Sequence, residues 1–273
     1  MRHHKLSAVI PSNGNYKINK ILSNLNRNKF IDEIIVVFSL QKYPQFKLLK
    51  SKKIKYYFCK KTGQVVQRQF GFKKAKHDLV LQIDDDIIFA NKDIFKLIQF
   101  KKILKNSSIG PIYYDNNKNK IHKLDKSFFG YFKRFLHWVI LSVPLTSLRM
   151  GKISKIHTNY GVDPKYMKRD FLSCDWLPGG LILHEKKNLV LKNYYPFKGK
   201  AIGEDILHSK ILLRKGIKLY VIKKSSVFTN PQENTNREFV KKYFKFLNYI
   251  NIKKTRLYIW KFVFYFGFVI RNK

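Results

Sequence analysis

The first hundred residues alternate short apolar runs with helical patterns, and this alternation limits the possible folds more than any other feature. The predicted strands are Leu6–Ile10, Glu33–Phe38, Ile54–Phe58 and Leu79–Ile83, and the predicted helices are Lys17–Asn26, Gly63–Ala75 and Asn91–Leu104. Such alternation is typical of an α/β fold with a mostly parallel central sheet and helices on both faces. Because these sheets bind ligands beyond the carboxyl ends of their strands, a functional site is expected at that edge.

The second half of the sequence is less regular but regains order after Trp176. Trp176–Leu183 predicts a strand entered through Pro178, Gly179 and Gly180, and Lys218–Ile222 predicts a last strand. Between them Glu204–Lys215 predicts a helix that Gly216 ends, since glycine commonly terminates helices.

Carboxylates are scarce, with 17 Asp+Glu against 56 Lys+Arg, yet three of them are consecutive at Asp84, Asp85 and Asp86. The triplet directly follows the predicted strand Leu79–Ile83. Adjacent carboxylates repel one another unless a cation compensates them, and oxygen ligands suit Mg²⁺ or Mn²⁺. The placement favours a metal and phosphate site over a solvated acidic turn.

A second acidic pair, Glu204 and Asp205, opens a predicted helix after Gly203. Acidic residues at a helix N-terminus are favoured by capping and by the helix dipole, so this pair alone permits a purely structural interpretation. The motifs around it favour a functional one.

The order of these motifs resembles the family 2 glycosyltransferases over roughly residues 6 to 228. The opening strand and turn correspond to Ala8–Asn13, and the family's Ala-Arg-Asn helix corresponds to Gln67–Gln69. The Asp-x-Asp element is Asp84–Asp86, the Gly-Gly strand is matched by Trp176–Gly180, and the Glu-Asp helix follows Gly203. The resemblance implies a GT-A (Rossmann-like) fold with a nucleotide-sugar half at about 1–106 and an acceptor half at about 107–230.

The resemblance also implies a role for each motif. It places the metal on Asp86 and Asp84, and makes Asp205 the general base, with Glu204 as the less favoured candidate. It assigns seven residues, Asp84 again among them, to the nucleotide-sugar. Those nucleotide-sugar residues are Pro11, Ser12, Arg68, Asp84, Asp85, Gly179 and Gly180.

The implied activity is an inverting, metal-dependent transfer from a nucleotide-diphosphate sugar to a glycan or lipid-linked acceptor in cell-envelope polysaccharide or lipopolysaccharide synthesis. Mn²⁺ or Mg²⁺ is the implied cofactor. Two places depart from the family. Phe38-Ser39 stands where many members have acidic residues that contact the base of the nucleotide. Many members also have a His after the final strand, and the corresponding Val227–Asn230 contains none.

The net charge of +39 attracts polyanions such as anionic lipid, nucleotide diphosphates or nucleic acid. The sequence contains no recognisable nucleic-acid-binding motif, so nucleic acid is not an expected partner. The alternatives are a basic membrane- or nucleic-acid-binding protein without catalysis, and a sugar nucleotidyltransferase. The latter needs a Gly-rich opening, and residues 8–20 contain only Gly14.

Two segments bear on location. Phe128–Leu148 is strongly apolar and aromatic, and either packs inside the protein or dips into a membrane interface. Residues 231–273 are predicted to form amphipathic, basic and aromatic helices over Glu238–Ile250 and Leu257–Ile270 that lie on a membrane rather than span it. With two lone cysteines and no signal peptide, the sequence predicts a cytoplasmic protein that is peripheral on the inner face of the cell membrane.

Overall fold

The computed structural model describes residues 5–42, 44–115, 127–141, 149–197, 201–229, 237–250, 255 and 258–261. Within them one nine-stranded mixed sheet runs in the order β3-β2-β1-β4-β8-β6-β9-β5, with β7 paired to β9. The strands are β1 Leu6–Ser12, β2 Glu33–Ser39, β3 Ile54–Cys59, β4 Leu79–Ile83, β5 Ile88–Phe89, β6 Ser107–Asp115, β7 Phe171–Cys174, β8 Leu181–Glu185 and β9 Lys218–Thr229.

Strands β1 to β4 are parallel, as the alternation predicts. β1 pairs in parallel with both β2 and β4, and β2 pairs in parallel with β3. The carboxyl ends of these strands therefore lie at one edge. Ser12 and Ser39 end β1 and β2 there, and Asp84 follows β4.

The helices cover both faces of the sheet. They are α1 Ile18–Arg27, α2 Gln64–Lys74, α3 Asn91–Ile103, α4 Phe128–Leu141, α5 Glu204–Arg214 and α6 Arg237–Tyr249. Successive side chains of a strand point to opposite faces. Accordingly Ala8 and Ile10 of β1 share a core with α1 and α3, whereas Val9 shares a separate core with α2.

The second half of the chain contains structure that the sequence patterns missed. β6 and β9 form a long parallel pair, and β8 lies between β4 and β6 and is antiparallel to both. The prediction that Trp176–Leu183 is one strand was wrong, because the strand begins only at Leu181. The preceding Pro178, Gly179 and Gly180 form a turn, where proline lacks a ladder donor and glycine weakens extended pairing. β9 also extends beyond the predicted Ile222 to Thr229.

The first helix expected in the tail is present as α6, and its apolar face packs into the protein. Phe246 and Leu247 are fully buried in a cluster with Ile206 of α5. The ring of Phe246 lies so close to Gly203 that it would collide with a side chain there, and Gly203 has φ +76°. Of the second predicted tail helix, Leu257–Ile270, the structure describes only residues 258–261, which are helical. Residues 142–148 also lie outside the described residues.

Candidate active site

The candidate site lies where four segments meet at the carboxyl edge of the sheet. β1 ends at Ser12, β4 is followed by Asp84–Asp86, the Pro178–Gly180 turn leads into β8, and α5 begins at Glu204. These segments are far apart in sequence, and α2 supplies the side chain that joins the second of them to the fourth.

That side chain is Arg68. Its Nη1 donates to Glu204 Oε1 at 2.7 Å, and its Nη2 donates to Asp84 Oδ1 at 3.0 Å. Arg68 is only 1% exposed. A buried guanidinium needs paired carboxylates to offset its lost hydration. Arg68 thus links the aspartate triplet to the Glu-Asp pair.

Gly179 leaves room for the Glu204 carboxylate to reach Arg68. A Cβ at this position would lie 2.5 Å from Glu204 Oε1 and would displace the carboxylate that Arg68 holds. Gly180 is also restricted, because a Cβ there would lie 3.0 Å from Ile87 Cδ1 and 3.1 Å from the Tyr113 hydroxyl. The turn is therefore fixed by close packing, and the Gly180 carbonyl accepts a 2.8 Å hydrogen bond from the Asp84 amide.

The three aspartates have different surroundings. Asp84 is partly buried, with one oxygen on Arg68 and the other accepting from Gln64 Nε2 at 2.9 Å. Burial raises the pKa of Asp84 to about 6, although Arg68 acts against this shift. Asp85 accepts a 2.6 Å hydrogen bond from the Ser12 hydroxyl, and burial likewise raises its pKa. Asp86 is exposed at the rim.

The two acids of α5 also differ. Glu204 is buried, with one oxygen bound by Arg68 and the other accepting from the Tyr194 hydroxyl at 2.8 Å. Asp205 is half-buried, and its Oδ1 accepts from the Ile206 amide at 3.0 Å. Burial and then the neighbouring Glu204 charge raise the pKa of Asp205 to about 7.

Three further residues complete the arrangement. Motif comparison placed Gln67 beside Arg68 without giving it a role, and it did not find Gln64 or Tyr194. Gln67 donates to the carbonyls of Ser12 and Val37 and so ties the ends of β1 and β2 together. Gln64 and Tyr194 orient Asp84 and Glu204. The polar pair Gln67-Arg68 within a helix that faces the core was a usable signal for Gln67. Tyr194 lies in a loop and carried no signal.

Behind Tyr194 lies a buried histidine pair. The His208 ring stacks on Tyr194 with centroids 5.5 Å apart, and the His184 ring lies 5.4 Å from His208. Burial, followed by the charge of Arg68, lowers the pKa of His208 to about 3, so this ring is neutral at pH 7. A neutral stacked ring fixes the phenol of Tyr194 without adding a second positive charge beside Arg68.

An open cavity of about 480 Å³ adjoins the site on the side of β2 and β3. Gln64 lines it, together with Lys60, Lys61 and Thr62 from the end of β3 and Tyr195 from the segment before α5. Ser39, which ends β2, shares a 2.7 Å hydrogen bond with Thr62. This wall is therefore basic and hydroxyl-rich rather than acidic.

The three adjacent aspartates differ in how open their oxygens are to a divalent cation. Both oxygens of Asp84 and one of Asp85 already accept side-chain hydrogen bonds. In the part of the chain that the structure describes, no three His, Cys, Asp or Glu side chains are grouped to hold a metal. Asp86 remains as an exposed carboxylate beside them, which fits a cation such as Mg²⁺ that is held by one or two carboxylates plus substrate phosphates.

The predicted site residues thus fall into four sets. Ser12, Arg68, Asp84, Asp85 and Glu204 are joined by hydrogen bonds, directly or through the adjacent Asp84–Asp85 backbone. Gly179 and Gly180 pack against this group. Pro11 is buried within β1, next to Ser12, whereas Asp86 and Asp205 border the group without bonding to Arg68.

The profile of Glycosyl transferase family 2 matches residues 18–172, which is more than half of the chain. The chain belongs to this family. The match spans Arg68 and the aspartate triplet, and the Gly-Gly turn and the Glu-Asp helix follow it in the order that the sequence resemblance predicted. No curated protein matches the chain in sequence.

Solved glycosyltransferases share the fold of this family 2 member. GalNAc-T7 with UDP, GalNAc and Mn²⁺ has a TM-score of 0.58 at 16% identity, over 83% of this chain and 43% of that one. S. aureus TarS 1-349 has a TM-score of 0.52 at 14% identity, over 91% and 66% of the two chains. The mannosyltransferase PcManGT from Pyrobaculum calidifontis, with GDP-Man and Mn²⁺, has a TM-score of 0.50 at 9% identity, over 88% and 60%.

These likenesses confirm the GT-A fold predicted from the sequence. The family 2 chain spans less than two thirds of the length of each of these relatives.

Proposed function

We propose that the chain is an inverting glycosyltransferase that moves a sugar from a nucleotide-diphosphate sugar to a hydroxyl of a glycan or lipid-linked acceptor. The observation that carries this proposal is the pairing of Arg68 with both Asp84 and Glu204. It brings the triplet expected at the donor into one site with the acidic pair expected at the acceptor.

On the donor side, Asp86 with Asp84 would hold Mn²⁺ or Mg²⁺, and Ser12 with Asp85 would lie beside the nucleotide. The bound cation would supply neutralisation of the charge that develops on the leaving diphosphate. GalNAc-T7 and PcManGT were solved with Mn²⁺ and with UDP or GDP-Man, respectively. Lys60 and Lys61 line the adjoining cavity, where they would attract an anionic donor.

In the reaction, the acceptor hydroxyl oxygen attacks the anomeric carbon as the bond from that carbon to the diphosphate oxygen breaks. The hydroxyl proton passes to the carboxylate of Asp205, and the nucleoside diphosphate leaves with the bonding electron pair. A general base acts best when its pKa lies near the working pH. A pKa of about 7 therefore suits Asp205 to this role.

Glu204 is the weaker candidate for the base. Both of its oxygens already accept hydrogen bonds, from Arg68 and Tyr194, so neither is directed at an acceptor hydroxyl. We assign Glu204 to fixing Arg68 and the start of α5.

We also propose that the protein works at the cytoplasmic, anionic face of the cell membrane in envelope polysaccharide or lipopolysaccharide synthesis. The charge of +39 supports attraction to anionic lipid. None of the helices in the described part of the chain combines the length and apolar character needed to cross a membrane.

The test is a screen of nucleotide-sugars for slow hydrolysis by the full chain with Mn²⁺ or Mg²⁺. Release of nucleoside diphosphate from one donor, abolished by Asp205→Asn or by a chelator, is the expected result. A catalytically inactive binding protein would release none. A sugar nucleotidyltransferase would instead release pyrophosphate from a nucleoside triphosphate and a sugar phosphate, which would overturn the proposal.

A further inference from the structure

Helix α4 turns an aromatic face towards solvent. Tyr131, Phe132, Phe135, Trp138 and Val139 recur at helical spacing, and each is between 47% and 59% exposed. Monomeric proteins rarely leave such a contiguous apolar surface uncovered unless it is an interaction site. We call these five residues the aromatic face.

The flank and the inner side of α4 are buried. Arg134 lies on the flank and is only 4% exposed, and its guanidinium lies 4.0 Å from the centroid of the Tyr131 ring of the aromatic face. Ile140 packs against the core cluster that contains Phe246 and Leu247. The helix therefore buries a cation and exposes aromatics, the inverse of the arrangement expected for a helix on a water-exposed surface.

The surroundings of α4 extend the surface. The Trp260 ring packs on His137 with centroids 5.5 Å apart, which places residues 258–261 beside the helix. Tyr258 and Ile259 in that segment are exposed apolar residues, and Lys261 is exposed as well. Aromatic bulk next to lysine is the composition of helices that lie in the headgroup region of a bilayer.

The net charge of the chain favours an anionic membrane over a second copy of the chain as the partner of the aromatic face. At +39, a second copy of the chain is repelled, whereas an anionic bilayer attracts it. The 14 residues of α4 rise about 21 Å, too short to span the hydrocarbon core of about 30 Å but long enough to lie along its surface.

We propose that the aromatic face of α4 inserts into the headgroup and upper acyl region of an anionic membrane. This inference rests on the proposed membrane location and changes where contact is made, since α6 uses Phe246 and Leu247 to pack on the protein instead. Electrostatic attraction brings the chain to the surface, and burial of the aromatics retains it there.

This placement brings the membrane towards the acceptor side of the site. The Tyr160 hydroxyl and His137 Nδ1 of α4 are 3.3 Å apart, and Trp176 Nε1 donates to the Tyr160 carbonyl at 2.9 Å. Trp176 shortly precedes the Gly179-Gly180 turn. A lipid-linked acceptor held at the bilayer surface would therefore approach the site from the side of this contact chain.

The test measures binding of the full chain to vesicles of phosphatidylglycerol and phosphatidylcholine by co-sedimentation at low salt. Phe132→Ser with Phe135→Ser should weaken partitioning by about 10- to 100-fold, since partial burial of two Phe side chains is lost. The matched control, Ile103→Ser with Leu191→Ser, also removes two exposed apolar side chains but from other surfaces, and should bind like the wild type.

Trp138 gives an independent signal. The difference in emission between the wild type and Trp138→Phe should shift to the blue on vesicle binding and be quenched by brominated lipid. Equal binding by the wild type and the double Phe variant would overturn the proposal. So would a Trp138 emission that is already blue-shifted and unchanged by vesicles, which would mean another part of this chain covers the face, or a dimer that the double variant abolishes.

Donor hydrolysis in solution separates this inference from the proposed function. The α4 variants should hydrolyse donor at the wild-type rate without vesicles. If hydrolysis occurs and vesicle binding does not depend on α4, only the membrane inference fails. If vesicle binding depends on α4 and no donor is hydrolysed, only the proposed activity fails.

Discussion

Arg68 and Glu204 lie 136 positions apart in the sequence, yet Nη1 of one and Oε1 of the other form a buried ion pair 2.7 Å long. The same guanidinium reaches Asp84, so one side chain of α2 sets the distance between the end of β4 and the start of α5. The architecture of the proposed site depends on this pair, and the first prediction tests it.

Arg68→Met should destabilise the protein by about 3–5 kcal/mol, because it leaves the buried Glu204 without its partner. Urea unfolding followed by circular dichroism measures this loss. Lys224→Met is the matched control, because it removes an exposed pair with Asp170 and should cost no more than about 1 kcal/mol. Equal losses of unfolding free energy in the two variants would show that the Arg68 ion pair stabilises the protein no more than an exposed pair does.

Asp205→Asn should lower transfer about 10²- to 10⁴-fold, the usual cost of losing a general base, while donor affinity and stability stay close to wild type. Glu204→Gln should instead lower the stability, because it weakens the ion pair with Arg68. Transfer assays, donor titration calorimetry and urea unfolding distinguish the two. Normal transfer by Asp205→Asn, with transfer lost in Glu204→Gln, would reverse the assignment.

Transfer should rise with pH up to about 7 and then level off. The sign follows from the role of Asp205, which accepts a proton only when ionised, and burial raises its pKa to about 7. A profile of transfer rate between pH 5 and 9 measures the midpoint. A rate independent of pH between 5 and 7 would contradict the assignment of Asp205 as base.

Asp86→Asn should reduce transfer by orders of magnitude without altering the unfolding curve, because Asp86 is exposed and its proposed role is to hold the cation. A chelator should abolish transfer, and added Mn²⁺ or Mg²⁺ should restore it. Asp170→Asn, another exposed carboxylate, is the control and should be fully active. Full activity in excess chelator would exclude a metal-bridged donor.

Phe246→Ala should destabilise the protein by about 3–5 kcal/mol, because it empties the space against Gly203 at the start of α5. The exposed Asn248→Ala on the same helix should have little effect. Thermal unfolding measures both. Removal of residues 238–273 should be still more damaging, so loss of vesicle binding by such a truncation would not by itself locate the membrane contact. An unchanged stability of Phe246→Ala would show that α6 does not support the site.

Local patterns predicted the first hundred residues closely. β4 has the predicted limits, and α2 differs from its prediction by one residue at each end, because hydrophobic periodicity and flanking turn residues are local properties. The family resemblance pointed to Arg68, Asp84 and Glu204 through ordered motifs. It did not reveal Tyr194 or Gln64, because their roles depend on neighbours that only folding brings near.

The sequence by itself determined the kind of fold, the edge of the sheet that carries the candidate site and the family to which the chain belongs. Each of these follows from the period of apolar residues or from short motifs in a fixed order. Only the tertiary structure decided that Arg68 holds both Asp84 and Glu204 and that the Trp176–Gly180 segment turns before β8. It also decided that α6 packs inwards while α4 exposes its aromatic face. These outcomes depend on contacts between distant segments, whose free energy is settled by packing and desolvation in the folded chain rather than by any local pattern.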